Sequence, residues 1–141
     1  MERFRMELES RSRNEEFARI VAAVFMGRLD PTVEEMEDVK TAVSEAVTNA
    51  EIHGYPQKTG VIEMEMEIEE ADLTVRIRDR GVGIVDVRQA MEPMFTTDPD
   101  GERSGMGFSF MEAFMDEVRV ESEVGKGTLV TMRKRIGRQE P

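Results

Sequence analysis

The tightest constraint on the fold is a pair of neighbouring runs with period two. Ile62, Met64, Met66 and Ile68 alternate with Glu63, Glu65, Glu67 and Glu69, and Leu73, Val75 and Ile77 alternate with Thr74, Arg76 and Arg78. A two-residue period puts the apolar side chains on one face of a strand and the charged ones on the other. Only Glu70-Ala71 separates the runs, so they predict an antiparallel hairpin. If that turn sets the register, Glu65 faces Arg76 and Glu63 faces Arg78. Opposite charges across a hairpin support it by roughly 0.2–1 kcal/mol per pair. The glutamate run therefore reads as the solvated face of a strand rather than as a metal site.

A sheet with one apolar face needs a covering layer, and the flanking sequence supplies it. Phe4, Met6 and Leu8 alternate with charged residues as a first half-buried strand. Ser10 and Ser12 can cap a helix whose apolar stripe is Phe17, Ile20, Val21 and Val24, with Arg19 off the stripe and Gly27 at its end. Asp30-Pro31 reads as a second helix start, a capping carboxylate before proline at the first helical position. Met36, Val39, Val43, Ala46 and Ala50 share one face of that helix. Glu45 and Asn49, four residues apart, share a neighbouring face, with His53 a further four on, and Gly54 stops the helix. From Asp79 to Gly107 the chain is loop-like, and a loop this long inside a compact domain is usually functional. Phe108 to Met115 looks helical, with Phe110, Met111 and Phe114 on one side. Val118 to Glu123 and Thr128 to Ile136 read as strands joined by the Gly125-Lys126-Gly127 turn. The expectation is one α+β domain over 1–136 with a frayed tail at 137–141.

Composition removes several functions. The 141 residues suffice for one domain with a core. There is no cysteine, hence no disulfide or thiolate chemistry, and the single histidine cannot build a multi-histidine metal site. A formal net charge of −11 opposes binding to nucleic-acid phosphates and suits a basic partner or simple solubility. No apolar run reaches membrane-span length and no signal architecture opens the chain, which suits the cytoplasm. The twelve methionines read first as gap-fillers of a core.

Four short signals remain. They are Glu45-x-x-x-Asn49 on a helix, Asp79-x-Gly81-x-Gly83 after a strand, Gly105-x-Gly107 running into a helix, and Gly125-x-Gly127-Thr128 in a hairpin. Singly, each has an ordinary reading as a solvated face, a turn, a helix start or a hairpin. A P-loop is absent, the Rossmann fingerprint lacks its third glycine, and a calcium loop aligned on Gly101 begins at Thr96 and ends at Gly107 without its key carboxylates. In this order, the four signals resemble the boxes of the GHKL ATP-binding family, which includes DNA gyrase, MutL and the histidine kinases. The stretch Ser44 to Tyr55, together with Phe95-Thr96-Thr97, Glu102 to Phe108 and Met115 to Val118, resembles the sporulation branch of the anti-sigma serine kinases nearly end to end.

The resemblance implies a two-layer α/β sandwich, its mixed, mostly antiparallel sheet covered on one face by helices. It implies that Asp79 accepts the adenine amino group, helped by Gly81, Gly83 and Thr128. Asn49 would bind Mg²⁺, and Ser104, Gly105, Met106, Gly107 and Phe108 would cradle the phosphates of ATP or ADP. Segment 86–104, with Thr96 and Thr97, would cover the nucleotide. Arg103 would neutralise charge on the γ-phosphate and Glu45 would take the proton of an attacking serine. The implied partners are a sigma factor of the sigma-F type, an anti-anti-sigma protein carrying the target serine, and a second copy of the chain. The homodimer would use the first strand and helix, with Arg19 near the partner face. No phosphoacceptor-histidine domain is present, and His53 sits on the nucleotide helix, which disfavours a histidine kinase. Without the second domain of gyrase and MutL, free hydrolysis should be slow. A general-stress anti-sigma kinase, or a nucleotide-gated sigma-binding module without catalysis, are the competing expectations.

Overall fold

In the computed structural model the described residues are 1–92 and 107–137. Strand β1 (Glu2–Glu9) leads into helix α1 (Arg13–Met26), a 3-10 turn (Gly27–Leu29), helix α2 (Val33–Asn49) and a π-helical turn (Ala50–Gly54). Strands β2 (Val61–Glu69) and β3 (Asp72–Asp79) follow, then a short helix α3 (Val87–Ala90). Helix α4 (Gly107–Phe114) precedes strands β4 (Glu117–Glu123) and β5 (Gly127–Arg135).

The strands form one sheet in the order β1-β2-β3-β5-β4. All four pairings are antiparallel, which corrects the expected mixed sheet. The connections explain it. Helices α1 and α2 return the chain to the end of the sheet where β1 finished, so β2 runs back against β1. Strands β3 and β4 do run the same way, but β5 inserts between them. Strands that run parallel are therefore never neighbours.

The hairpin register is the one the charges predict. Glu65 pairs with Arg76 and Glu63 with Arg78, and their side chains lie 3.2 Å and 3.8 Å apart. Arg76 also reaches Glu67 at 3.3 Å. The opposite face carries Ile62, Met64, Met66, Leu73, Val75, Ile77, Val130 and Met132, all buried against the helices. Met26, Met64, Met66, Met111 and Met132 have no exposed surface, so methionine does serve the core.

Four local expectations need correction. Helix α1 buries Ala18, Ala22, Phe25 and Met26, whereas Phe17, Ile20 and Val24 are 52%, 52% and 70% exposed. The helix has two apolar faces, and the one with alanines is packed inward because small side chains let α2 approach closely. Ser12 makes no side-chain cap, and the Ser10 hydroxyl instead accepts the Gly60 amide at 2.8 Å. The second helix is capped by Thr32 rather than Asp30. Thr32 Oγ1 accepts the Glu35 amide and the Glu35 carboxylate accepts the Thr32 amide, a reciprocal capping box. Asp30 adopts a left-handed conformation at the end of the preceding 3-10 turn. The stretch after Asp79 is also not wholly loop, since Asp86 caps α3 by accepting the Gln89 amide. Among the described residues no helix is long and apolar enough to cross a membrane.

Removing a buried methionine from the sheet face leaves a cavity that close-packed neighbours cannot fill. Met64→Ala should lower unfolding stability by about 2–5 kcal/mol, read as a lower denaturant midpoint with an unchanged slope. A loss below about 0.5 kcal/mol would show that the helices do not pack on this face as described.

Candidate functional site

Helix α2 and the end of β3 supply the two anchor residues. The apolar stripe Val39, Ala42, Val43, Ala46 and Val47 fixes α2 against the core. That burial leaves Glu45 and Asn49 half-buried on the flanking face. Beyond Asn49 the backbone widens into the π-helical turn Ala50–Gly54. His53 therefore does not continue the regular four-residue spacing of Glu45 and Asn49.

Asp79 closes β3 and is 5% exposed. Its Oδ1 accepts the Gly81 amide at 2.9 Å, and the Thr128 amide also donates to its carboxylate. Burial raises the carboxyl above its ordinary value, and the two amides offset part of that rise. The neighbouring backbone approaches unusually closely. A methyl group on Gly54 would sit 2.7 Å from Asp79 Cγ and 2.8 Å from its Oδ1, so a side chain at 54 would displace the carboxylate. Gly81 packs on the Gly54 carbonyl, Gly83 on the Glu123 carbonyl, and Gly127 on the Asp79 carbonyl. Glycines from three separated segments thus surround one aspartate.

At the other end of the site, Gly107 opens α4 against Asn49. A methyl group there would lie 3.0 Å from Asn49 Nδ2 and 3.3 Å from its Oδ1. The first turn of α4, with half-buried Phe108, is thereby held beside the amide that would bind a metal. A helix start with exposed amide donors favours anions. The residues present fit a nucleotide with Mg²⁺: a buried carboxylate for a base amino group at one end, and an amide oxygen beside a helix start at the other.

Thr128 is buried, and its hydroxyl shares a 2.8 Å hydrogen bond with Ser122. The Ser122 hydroxyl also donates to the Gly127 carbonyl at 3.0 Å and accepts the Ile84 amide at 2.7 Å. With its one proton committed to Gly127, Ser122 must accept from Thr128. Ser122 and the Gly54-Tyr55 pair are structural members of the site that motif reasoning did not single out. A glycine followed by the chain's only tyrosine was the available signal; for Ser122 there was none beyond its place opposite Thr128 in a hairpin. Thr96, Thr97, Arg103, Ser104, Gly105 and Met106 lie outside the described residues. Arg19 is far along the chain from this cluster, on α1, 3.9 Å from Glu15.

Residues 8–134 match the model of the histidine kinase-like ATPase domain, and the chain belongs to that family. Within it, the chain is similar to proteins named anti-sigma F factor. It is 54% identical to that of Clostridium novyi over 135 residues, 95% of this chain and 94% of the relative. It is 54% identical to that of Pasteuria penetrans over 140 residues, 96% and 93% of the two chains. It is 55% identical to that of a Thermoanaerobacter species over 134 residues, 94% of each. A crystal structure of the RsbU and RsbW domains of a Mycobacterium tuberculosis protein superposes with a TM-score of 0.70 at 18% identity. That alignment covers 99% of this chain and 34% of the solved one, and at such identity it speaks for the fold alone.

The Asp79 environment predicts a pH effect whose sign can be worked out. A carboxyl raised in the folded state contributes stability that is complete below its ordinary value of 3.8 and is lost as pH rises through the higher folded value. At neutral pH the desolvated carboxylate therefore costs stability when no nucleotide is present. Nucleotide-free Asp79→Asn should melt at or above wild type at neutral pH, and the difference should close below pH 3.8. Parallel thermal melts across that range check it. A variant less stable at neutral pH than at acid pH, relative to wild type, would contradict the desolvation argument.

Proposed function

We propose that this chain is an ATP-binding anti-sigma factor that captures a sigma factor of the sigma-F type and phosphorylates a serine on an anti-anti-sigma protein. The observation that carries the reading is the joined site. Asp79 sits buried at one end and Asn49 beside Gly107 at the other, in a chain whose near-full-length relatives are named anti-sigma F factors.

The residues divide the work by chemistry. The Asp79 carboxylate accepts the adenine amino hydrogens, a charge-assisted bond that a desolvated anion makes strongly. Gly81, Gly83 and Thr128 shape the wall around it. The start of α4, with Ser104 to Phe108, surrounds the phosphates with backbone donors. Asn49 would hold Mg²⁺, which screens phosphate charge when bound. Glu45, one helical turn before Asn49, takes the proton of the attacking serine hydroxyl, and Arg103 neutralises charge on the transferred group. Phosphoryl transfer needs mainly positioning and charge stabilisation, so this set is sufficient.

Helix α1 supports the partner assignments. Phe17, Ile20 and Val24 form an exposed apolar stripe that suits a second copy of the chain, and β1 is an edge strand of the sheet. Arg19 stands 3.9 Å from Glu15, beyond hydrogen-bond length. Its guanidinium can turn to a partner carboxylate.

Two sets of variants test the reading. A base that acts on the incoming serine contributes in the transition state, so its loss should lower turnover more than ATP affinity. Glu45→Gln should cost roughly 10²-fold or more in phosphoryl transfer with near-normal ATP binding and sigma capture. Asn49→Ala should instead lose Mg·ATP affinity, and with it both activities. Full kinase activity in Glu45→Gln removes the general-base role.

At the partner face, Arg19→Ala should weaken sigma or anti-anti-sigma binding by about 1–3 kcal/mol without changing ATP affinity. Ile20→Asp should lower the mass seen by light scattering from dimer to monomer. Wild-type partner affinity in the first variant, or an unchanged mass in the second, would place the interface elsewhere.

A further inference from the structure

We infer that Tyr55 is a positioning residue for base selectivity: its phenol holds the turn that presents Asp79, so that recognition of the adenine amino group depends on an oxygen that never touches the nucleotide. The inference rests on the reading of Asp79 as the adenine-binding carboxylate.

Tyr55 is 6% exposed and follows directly on the π-helical turn that ends the Asn49 helix. Its hydroxyl donates to the Val61 carbonyl at 2.7 Å and accepts the Arg80 amide at 2.7 Å. Both partners are backbone groups, one at the start of β2 and one immediately after Asp79. A phenol has one proton to donate, and here it is committed. The ring is seated under Gly60, where even a methyl group would collide with it. The oxygen is therefore held by packing as well as by hydrogen bonds.

The turn after Asp79 depends on this neighbourhood for its shape. Three consecutive amides each find a different acceptor: Arg80 on the Tyr55 hydroxyl, Gly81 on Asp79 Oδ1, and Val82 on the Gly54 carbonyl at 2.9 Å. Two of the three acceptors come from residues 54 and 55. The middle one is the carboxylate itself, so the turn that Tyr55 and Gly54 clamp is also the turn that orients Asp79. Removing the hydroxyl leaves the Arg80 amide and the Val61 carbonyl without their partner. The turn can then rotate to recover it, carrying Gly81 and the carboxylate with it.

Tyr55→Phe deletes one oxygen and keeps the ring. The probes are ATP and purine riboside triphosphate, which lacks the amino group, each with Mg²⁺ and each measured by calorimetric titration. Wild type should prefer ATP, and Asp79→Asn should lose that preference. Tyr55→Phe should lose about tenfold in ATP affinity, the scale of a buried hydrogen bond left unmade, with the analogue bound as in wild type. In the double variant with Asp79→Asn, the Tyr55 substitution should cause no further loss. An equal loss for both nucleotides would overturn the inference, as would a preference for ATP that survives in a folded Tyr55→Phe protein. A wild type that does not distinguish the two nucleotides would instead refute the Asp79 pocket.

Because Tyr55 is the only tyrosine, 3-fluorotyrosine labels this position alone and serves if the variant does not fold. Its fluorine resonance should move with Mg·ATP and stay in place with Mg·triphosphate. No movement with ATP, or equal movement with both, overturns the inference.

Discussion

The burial of the Asp79 carboxylate is the constraint on which the site depends. A charge taken out of water must be met by hydrogen-bond donors or it is lost to protonation. Here the donors are backbone amides of Gly81 and Thr128. Backbone donors cannot reach past side chains, which is why Gly54, Gly81 and Gly127 crowd around the aspartate. The result is a carboxylate fixed in direction by two backbone donors.

The same economy governs the architecture. One helix, α2, carries Glu45 and Asn49, is anchored by its valine and alanine stripe, and ends against the Asp79 turn. Asn49 and the Asp79 turn are therefore spaced by one π-helical turn at the end of a single helix. The sheet supports this from below with its buried methionine and branched aliphatic face, while its outer face is closed electrostatically by the glutamate and arginine ladder. Exposed ion pairs of this kind stabilise little individually. They matter here as register marks, because a slip of one residue would turn every core side chain outward.

Helix α1 shows a different use of apolar surface. Its inward face is built on Ala18, Ala22, Phe25 and Met26, whereas Phe17, Ile20 and Val24 point away from the core. Among the described residues nothing covers that outer face, and exposed apolar stripes of this kind commonly mark contact surfaces. In the proposed function the domain thus keeps two surfaces apart: the glycine-rich surroundings of Asp79 for nucleotide, and an apolar helix for protein contacts.

The sheet was legible from the chain alone wherever period and charge agreed. The hairpin from Ile62 to Ile77, its register and its solvated glutamate face follow from alternation, because strand geometry leaves each side chain only two directions. The order of the glycine-containing motifs pointed to the histidine kinase-like ATPase family that the chain matches over residues 8–134. What the chain could not show was which of two apolar helix faces packs inward, since Phe17 and Ile20 look better suited to a core than Ala18 and Ala22. That choice belongs to tertiary structure, where the closeness of α1 to α2 decides. It also could not show that Thr32 rather than Asp30 caps α2, because both residue types cap helices and only the backbone direction distinguishes them. Nor could it assign Tyr55 and Ser122 their roles. A hydroxyl's partners are set by three-dimensional proximity between backbone segments as far apart as Tyr55 and Arg80, and local sequence carries no record of that distance.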